Sequence, residues 1–256
     1  MHQLTIVKVG GKIVEDQKSL KAFLKDFSLI AGHKILIHGG GSSATLLAEK
    51  LGIKSPMVDG RRITDAETLK VVTMVYAGWI NKTIVAQLQA LNLDAVGLTG
   101  ADMNLVLAVK RPVKDIDYGF AGDVREVNAP VLKELLGQNY VPVMAPITHD
   151  CAGQLLNTNA DTIAGETAKG LAYDFNVRLI YCLDKKGVLS NEKDENSVIQ
   201  SLTKEEFLQY KEEGIIKAGM IPKLANAFEA LAAGVKEIIL LRADNLNSGE
   251  GTYIKN

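Results

Sequence analysis

The sequence has little cysteine and no excess of charge of either sign. Cys151 and Cys182 are its only cysteines, and they lack the pairing of a disulfide framework and the histidine spacing of a zinc site. The 29 lysines and arginines against 30 aspartates and glutamates leave a net charge of −1. A uniform field that attracts nucleic acid or an anionic membrane is therefore excluded.

Long apolar runs, low-complexity tracts and internal repeats are also absent. No window approaches about 18 uninterrupted apolar residues, the length that crosses a bilayer, and the start lacks the charged leader and apolar stretch of a signal peptide. The composition, with 47% hydrophobic and 23% charged residues, is ordinary for a globular protein. We expect a cytoplasmic protein that binds a small molecule, with no nucleic acid or membrane partner.

Short runs rich in valine and isoleucine alternate with longer helical patterns. This alternation predicts an α/β fold in three layers, an αβα sandwich around a mostly parallel central sheet. Segment 106–128 breaks the rhythm and is predicted as a β-hairpin, and segment 185–201 as an exposed loop near a second ligand surface. The predicted strands are 4–9, 34–38, 95–98, 141–146, 177–183 and 237–241, and the predicted helices are 19–31, 43–51, 65–91, 129–138, 161–171, 204–213 and 222–233.

The predicted helix 65–91 is the longest, and its apolar residues cover more than one stripe. The pattern Thr64-Asp65-Ala66-Glu67 indicates a capping box at its start, and no proline interrupts it. A helix that is apolar nearly all round is buried on more than one side. A central core helix and a homodimer interface are both consistent with this pattern.

A lysine interrupts the first predicted strand just before a glycine pair. Because an unpaired ammonium is costly to bury, Lys8 must emerge near the strand end or meet an anion. Ligands bind at the carboxyl ends of strands in such sheets, and Gly10 and Gly11 would let backbone N–H groups approach an anion closely. The alternative is an edge-strand lysine that faces water.

The second strand ends in a glycine turn, 39–41, that leads into a helix. Free N–H groups and the helix dipole make this arrangement an anion site. The Gly-x-Gly-x-x-Ala spacing over 39–44, with Asp59 as a ribose ligand, also matches a relaxed dinucleotide-binding fingerprint, so an oxidoreductase is a distant alternative. His38, before the turn, is interpreted as a residue that packs or caps locally.

Two downstream motifs add cations. Arg62, just before the long helix, is a candidate clamp for a substrate carboxylate, because a guanidinium binds a carboxylate through two parallel hydrogen bonds. Its neighbour Arg61 is interpreted as solvated. Lys223 occupies the first turn of a predicted helix, where the dipole disfavours a cation, so it needs an anion there.

The segment Asn157-Thr158-Asn159-Ala160-Asp161 opens another helix. Capping explains one of its polar residues, but three amide or carboxylate groups on alternating residues exceed that need. Two lysines, two glycine turns and one aspartate are the groups that phosphoryl transfer requires, since its transition state spreads charge over three oxygens. The residues alone indicate phosphotransfer or phosphate binding.

In order and spacing these motifs resemble the amino acid kinase superfamily, and within it the N-acetylglutamate kinases. The resemblance covers nearly the whole chain and implies one domain over 1–256, with an N-terminal lobe (about 1–172) for the acylamino acid and a C-terminal lobe (about 173–256) for ATP. The motifs are Lys8-Val-Gly-Gly, His38-Gly-Gly-Gly, Gly60-Arg-Arg-Ile-Thr, Leu156-Asn-Thr-Asn-Ala-Asp161 and Gly219-Met-Ile-Pro-Lys223.

The resemblance implies transfer of the ATP γ-phosphate to the side-chain carboxylate of N-acetyl-L-glutamate, a step of arginine biosynthesis. Mg²⁺ would arrive with ATP, and the chain would supply no metal ligand. By the same resemblance, Lys8, Lys223 and Asp161 would be catalytic, Gly40, Gly41, Arg62, Asn157 and Asn159 would bind the substrate, and Gly10, Gly11, Asp184, Gly187, Gly219 and Met220 would bind the nucleotide.

Two departures from the family pattern leave alternatives open. The Asp184-Lys-Lys-Gly187 turn differs from the commoner Asp-Val-x-Gly, and Arg61 stands where the family more often has an apolar residue. A cation there would suit N-succinylglutamate, and a non-catalytic nucleotide or amino-acid sensor is the alternative of another class.

Arginine-inhibited relatives carry an extra N-terminal helix that builds hexamers, whereas this sequence starts directly at its first predicted strand. We therefore expect a homodimer through helix 65–91, without feedback inhibition by arginine.

Overall fold

The computed structural model describes residues 1–58, 60–217 and 219–256. Asp59, the ribose ligand of the dinucleotide hypothesis, lies outside the described residues. Within them the strands are β1 (His2–Val9), β2 (His33–His38), β3 (Met57–Val58), β4 (Arg61–Arg62), β5 (Ala95–Leu98), β6 (Val106–Lys110), β7 (Ala121–Val127), β8 (Val141–Met144), β9 (Ile147–His149), β10 (Leu155–Thr158), β11 (Phe175–Leu183), β12 (Ser201–Leu202), β13 (Glu237–Arg242) and β14 (Gly251–Ile254). The α-helices are α1 (Gly11–Glu15), α2 (Gln17–Ser28), α3 (Gly41–Lys50), α4 (Ala66–Thr73), α5 (Asn81–Gln89), α6 (Ala129–Gly137), α7 (Ala160–Leu171), α8 (Lys204–Glu212) and α9 (Ile221–Ala232).

The central sheet contains eight strands of the described ranges, in the order β12-β14-β13-β11-β1-β2-β8-β5. Neighbouring strands run parallel except β13 and β14, which are antiparallel. The predicted mostly parallel sheet is therefore confirmed. Strands from both ends of the chain meet where β1 pairs with β11, so the two halves share one sheet, as expected.

Alternation along β1 distributes its side chains between two cores. Leu4 and Ile6 join the core that α6, α7 and α9 also line, whereas Val7 and Val9 join the core on the α2 and α5 face. Successive side chains of a strand point to opposite faces, so both faces of the sheet are covered and the αβα sandwich is confirmed. By the same period Lys8 faces α7 and α9.

The predicted hairpin over 106–128 is confirmed, since β6 and β7 pair antiparallel with a register shift between Leu107 and Ala108. It joins a small array with β9 and β10 that the sequence analysis did not identify. In this array β10 pairs parallel with β7, with Asn157 opposite Ala121.

The predicted long helix is continuous and consists of α4, a π-helical segment (Met74–Ile80) and α5, together called the long rod. The capping prediction was wrong by one residue: Asp65 is the N-cap and accepts from the Thr68 amide at 2.7 Å. Thr64 is instead buried, with extended backbone bonded to Tyr118 and Phe120. Among the described residues, no helix combines the length and apolarity needed to cross a membrane.

Candidate active site

Three charged side chains meet at the carboxyl end of β1. Lys8 Nζ lies 2.8 Å from Asp161 Oδ1, and the Lys223 ammonium donates to Asp161 Oδ2. Asp161 and Lys223 occupy the first turns of α7 and α9, helices that line the core on the Lys8 face of β1. The sequence separates these residues by up to 215 positions, and the parallel sheet brings them together.

Burial and charge compete at this cluster. Burial raises the pKa of Asp161, but the charges of Lys8 and Lys223 outweigh it and hold that pKa well below its ordinary value of 3.8. Burial also lowers the pKa of Lys223, against the opposing attraction of Asp161. With one carboxylate and two ammonium groups, the cluster keeps a surplus positive charge, which attracts an anion.

The two glycine turns face each other across the same edge of the sheet. A Cβ on Gly39 would lie 3.5 Å from the Gly11 amide nitrogen, and one on Gly11 would lie 3.6 Å from the Gly41 amide nitrogen. Gly40 has φ of 156°, and its Cβ would lie 2.3 Å from Ile80 Cδ1. Only glycine therefore fits at position 40, and the two turns pack backbone against backbone.

Both arginines of β4 line the adjoining cavity. The buried Arg62 guanidinium donates to the Gly41 carbonyl at 2.7 Å, to Thr45 Oγ1 at 2.9 Å and to Ser55 Oγ at 2.5 Å. Arg61 is half-buried rather than solvated, because the β3–β4 hairpin carries it along the cavity wall. The interpretation of Arg61 as a fully solvated turn residue was therefore wrong.

The two asparagines before α7 have different local partners. Asn157 Nδ2 donates to Thr64 Oγ1 at 3.0 Å. Asn159 Oδ1 accepts from the amides of Asp161 and Thr162, at 2.8 and 3.2 Å. Asn159 is thus the cap that the sequence allowed, and both asparagines still line the cavity.

The cavity has a volume of about 200 Å³ and collects most of the predicted catalytic and substrate residues. Lys8 and Asp161 of the ammonium-carboxylate cluster line it together with both arginines, whereas Lys223 is not among its lining residues. The predicted site residues that line it are Lys8, Gly11, Gly40, Gly41, Arg62, Asn157, Asn159 and Asp161.

A second cavity, of about 410 Å³, contains three of the predicted nucleotide residues, Gly187, Gly219 and Met220. Asp184 is not among its lining residues. That carboxylate is half-exposed and pairs with Lys12 at 2.7 Å.

Two residues that the sequence analysis missed support the glycine turns. Glu15 Oε1 accepts from the Ser43 amide at 2.9 Å, so a protein carboxylate already lies at the N-terminus of α3. Tyr76, in the π-helical segment, lies 3.1 Å from the position of a Gly40 Cβ. Gly10 caps α1 through its backbone conformation alone. No local pattern in the sequence indicates the roles of Glu15 and Tyr76.

The sequence is similar to those of known kinases. The model of the amino acid kinase family matches residues 3–242. The chain is 62% identical over 254 residues to an acetylglutamate kinase of Phocaeicola vulgatus, covering 99% of both chains. It is 60% identical over 254 residues to an acetylglutamate kinase of Bacteroides thetaiotaomicron, again covering 99% of both.

Solved structures share the fold. A protein of Streptococcus mutans has a TM-score of 0.83 at 27% identity, covering 98% of both chains. The carbamate kinase of Giardia lamblia has a TM-score of 0.68 at 19% identity, covering 99% of this chain and 98% of that one, and shows the fold alone. The chain belongs to the amino acid kinase family, in its group of acetylglutamate kinases.

Proposed function

We propose that the protein transfers the γ-phosphoryl group of ATP to the side-chain carboxylate of N-acetyl-L-glutamate, as a step of arginine biosynthesis. The observation that carries the proposal is that Lys8 and Asp161, of the Lys8–Asp161–Lys223 cluster, line the same cavity as Arg62. A dicarboxylic amino acid with a blocked amine would present one carboxylate to the cluster and the other to Arg62. Relatives named acetylglutamate kinase share about 60% of the sequence.

In the reaction, a substrate carboxylate oxygen forms a bond to the γ-phosphorus while the bond from that phosphorus to the β,γ-bridging oxygen breaks. The bridging oxygen keeps the electron pair, and ADP leaves. Charge accumulates on the phosphoryl oxygens, where Lys8 and Lys223 neutralise it. Asp161 orients both ammonium groups, and its lowered pKa keeps it ionised, so it acts through position rather than as a base.

Arg62 would bind the substrate α-carboxylate, and Asn157 and Asn159 would contact the acylamino group. The amides of Gly40 and Gly41, which line the same cavity as Lys8, would bind an anion there. The N-terminal lobe thereby binds the amino acid, while the C-terminal lobe, with the cavity that Gly187 lines, binds ATP.

The described residues contain no group of three His, Cys, Asp or Glu side chains placed to hold a metal ion. Mg²⁺ would enter on the ATP phosphates, where it would shield their charge. Gly10, Gly11, Gly219 and Met220 would contact the nucleotide through backbone atoms. The cytoplasmic location stays a prediction.

ADP release tests the proposal, with N-acetylglutamate, free glutamate, aspartate, carbamate and UMP offered in turn. We expect turnover with N-acetylglutamate. Turnover with only an unacylated substrate would assign the protein to a sister kinase, and nucleotide binding without turnover would identify a sensor.

N-Succinylglutamate is the second candidate substrate, and the position of Arg61 on the cavity wall favours it. A succinyl group ends in a carboxylate that a guanidinium can bind, whereas an acetyl group does not. If Arg61 contacts the acyl group, Arg61→Ala should lower kcat/KM for the succinyl substrate by roughly tenfold or more and leave the acetyl value unchanged. A preference for acetyl that Arg61→Ala does not alter would eliminate the succinyl substrate.

We also propose a homodimer through the long helix. Its π-helical segment exposes Met74 and Trp79, the latter 72% exposed, and apolar side chains of this size are enriched in the centres of interfaces. Light scattering should give twice the 27.6 kDa chain mass, and Trp79→Glu should give a monomer. A hexamer, or inhibition by arginine, would contradict the prediction.

A further inference from the structure

A chain of hydrogen bonds leads from the surface to the glycine turn at the site. Lys82 Nζ lies 3.1 Å from Asn81 Oδ1, and Asn81 Nδ2 lies 3.2 Å from His38 Nε2. His38 Nδ1 lies 2.8 Å from the Gly39 carbonyl oxygen. His38 and Asn81 are buried and Lys82 is exposed. The burial of His38 and its bond to the neighbouring residue agree with the interpretation that it packs or caps locally.

The Lys82 ammonium at one end and the Gly39 carbonyl at the other determine which atom donates in each of these hydrogen bonds. An ammonium only donates, so the Asn81 atom that faces Lys82 is the oxygen, and the Asn81 amide nitrogen faces His38. His38 Nε2 must then accept, which places the ring proton on Nδ1. A carbonyl oxygen only accepts, so the bond to Gly39 requires the same tautomer.

The surroundings keep the histidine neutral. Burial lowers the pKa of His38 to about 4, the bond to the Gly39 carbonyl opposes this shift, and the charge of Lys82 adds to it. At neutral pH the ring therefore donates at one nitrogen and accepts at the other.

Gly97 leaves space for these hydrogen bonds because it has no side chain, and further hydrogen bonds support Asn81. A Cβ on Gly97 of β5 would lie 2.0 Å from Asn81 Oδ1 and 2.6 Å from Lys82 Nζ. Asn81 Nδ2 also donates to the Val143 carbonyl at 2.9 Å, and Lys82 Nζ to the Gly97 carbonyl at 2.9 Å. The Asn81 amide is thereby held from both of its ends.

The hydrogen bond from His38 to the Gly39 carbonyl determines where the N–H of Gly40 points. In a trans peptide the C=O and N–H groups point in opposite directions. Because His38 holds the Gly39 oxygen, the N–H of Gly40 points away from the ring. Within the described ranges this N–H has no protein acceptor, and Gly40 lines the cavity that Lys8 also lines.

We propose that Lys82, Asn81 and His38 form a positioning relay, which holds the Gly40 amide toward the phosphoryl group during its transfer. The inference rests on the proposed kinase activity. None of the three relay residues lines the cavity, so they act through the glycine turn and are positioning residues. An amide fixed in this way stabilises developing negative charge without reorganisation at the moment of reaction.

The test compares Lys82→Met with Lys82→Arg, because a guanidinium also only donates. Nitrogen NMR of the histidine rings should show His38 protonated at Nδ1 in the wild type and in both variants, because the carbonyls of Gly39 and Val143 still impose this tautomer. We expect kcat to fall by roughly 2–10-fold in Lys82→Met, the effect of one hydrogen bond. KM for ATP should stay unchanged, and Lys82→Arg should restore kcat.

His38→Leu removes the donor and should lower kcat by about 100-fold. Because a buried substitution can also impair folding, the surface variant Lys82→Met decides the proposal. Lys70→Met, an exposed lysine of the same rod that pairs with Glu67, is the matched control and should change neither readout. A wild-type His38 protonated at Nε2, or a Lys82→Met protein with wild-type kcat, would overturn the relay. A wild type without turnover contradicts the proposed function instead, and the NMR measurement still decides the relay.

Discussion

Replacing Lys8 with alanine is expected to lower kcat by about 10²–10³-fold and to leave both KM values close to those of the wild type. The Lys8 ammonium lies beside Asp161 at the carboxyl end of β1, next to the glycine turns. Charge on the phosphoryl oxygens grows between the ground state and the transition state, so a cation here contributes mainly to the transition state.

Lys223→Ala should have a comparable effect, because the second ammonium faces the other oxygen of the same carboxylate. Each single variant leaves Asp161 with one cation, so both proteins should fold. Steady-state kinetics with ATP and N-acetylglutamate measures the effect. A loss confined to KM would contradict the assignment of either lysine.

Lys12→Ala is the matched control for these variants. Lys12 lies just past the same glycine pair, but its side chain is 76% exposed and pairs with Asp184. Because solvent screens such a pair, kcat should change little. A loss as large as that of Lys8→Ala would show that general positive charge, rather than the buried cluster, supports the reaction.

The central sheet and its charged cluster could be predicted because their signals are local. Valine and isoleucine runs gave the strands, and alternation along β1 determines which face Lys8 occupies. The lysine within an apolar strand, and Lys223 at a helix start, each required an anion. Asp161 is the anion for both lysines, and the three side chains meet at the carboxyl end of β1.

The remaining features depend on contacts between distant segments. Strands β9 and β10 are short, with three and four residues, so alternation along them is too brief to detect. Thr64 has the composition of a cap, but its backbone is paired with Tyr118 and Phe120, which moves the cap to Asp65. Tertiary pairing of this kind overrides local preference.

Arg61 shows the same limit at the site itself. Its position in a turn predicts exposure, and only the packing of the β3–β4 hairpin places it on the cavity wall. The relay that ends at Gly39 is similar, since Lys82 and His38 stand 44 positions apart. Sequence therefore identified the groups that carry charge better than those that position them.

Asp161→Asn is expected to lower the free energy of unfolding by roughly 3–5 kcal/mol, because it leaves the buried ammonium of Lys8 and the partly buried one of Lys223 without their counter-ion. The amide keeps the shape of the carboxylate and can still accept a hydrogen bond, so the loss reports charge rather than packing. Urea unfolding of the two proteins at neutral pH measures it. Asp174→Asn, in the more exposed pair with Lys133, is the control and should cost less than about 1 kcal/mol.

The pH dependence of this difference gives an independent check. The folded pKa of Asp161 lies below its ordinary value of 3.8, so the unfolded state takes up the proton first as the pH falls. The stabilisation is therefore fully present above the unfolded pKa and is lost as the pH falls toward the folded one. Wild type and Asp161→Asn should differ by a constant amount above about pH 5 and converge below about pH 4. Removing one cation as well, in Asp161→Asn with Lys8→Met, should recover part of the stability at neutral pH without recovering activity. A difference that persists unchanged into acid would show that Asp161 stabilises the fold by hydrogen bonding alone, and its assignment as the counter-ion of both lysines would be wrong.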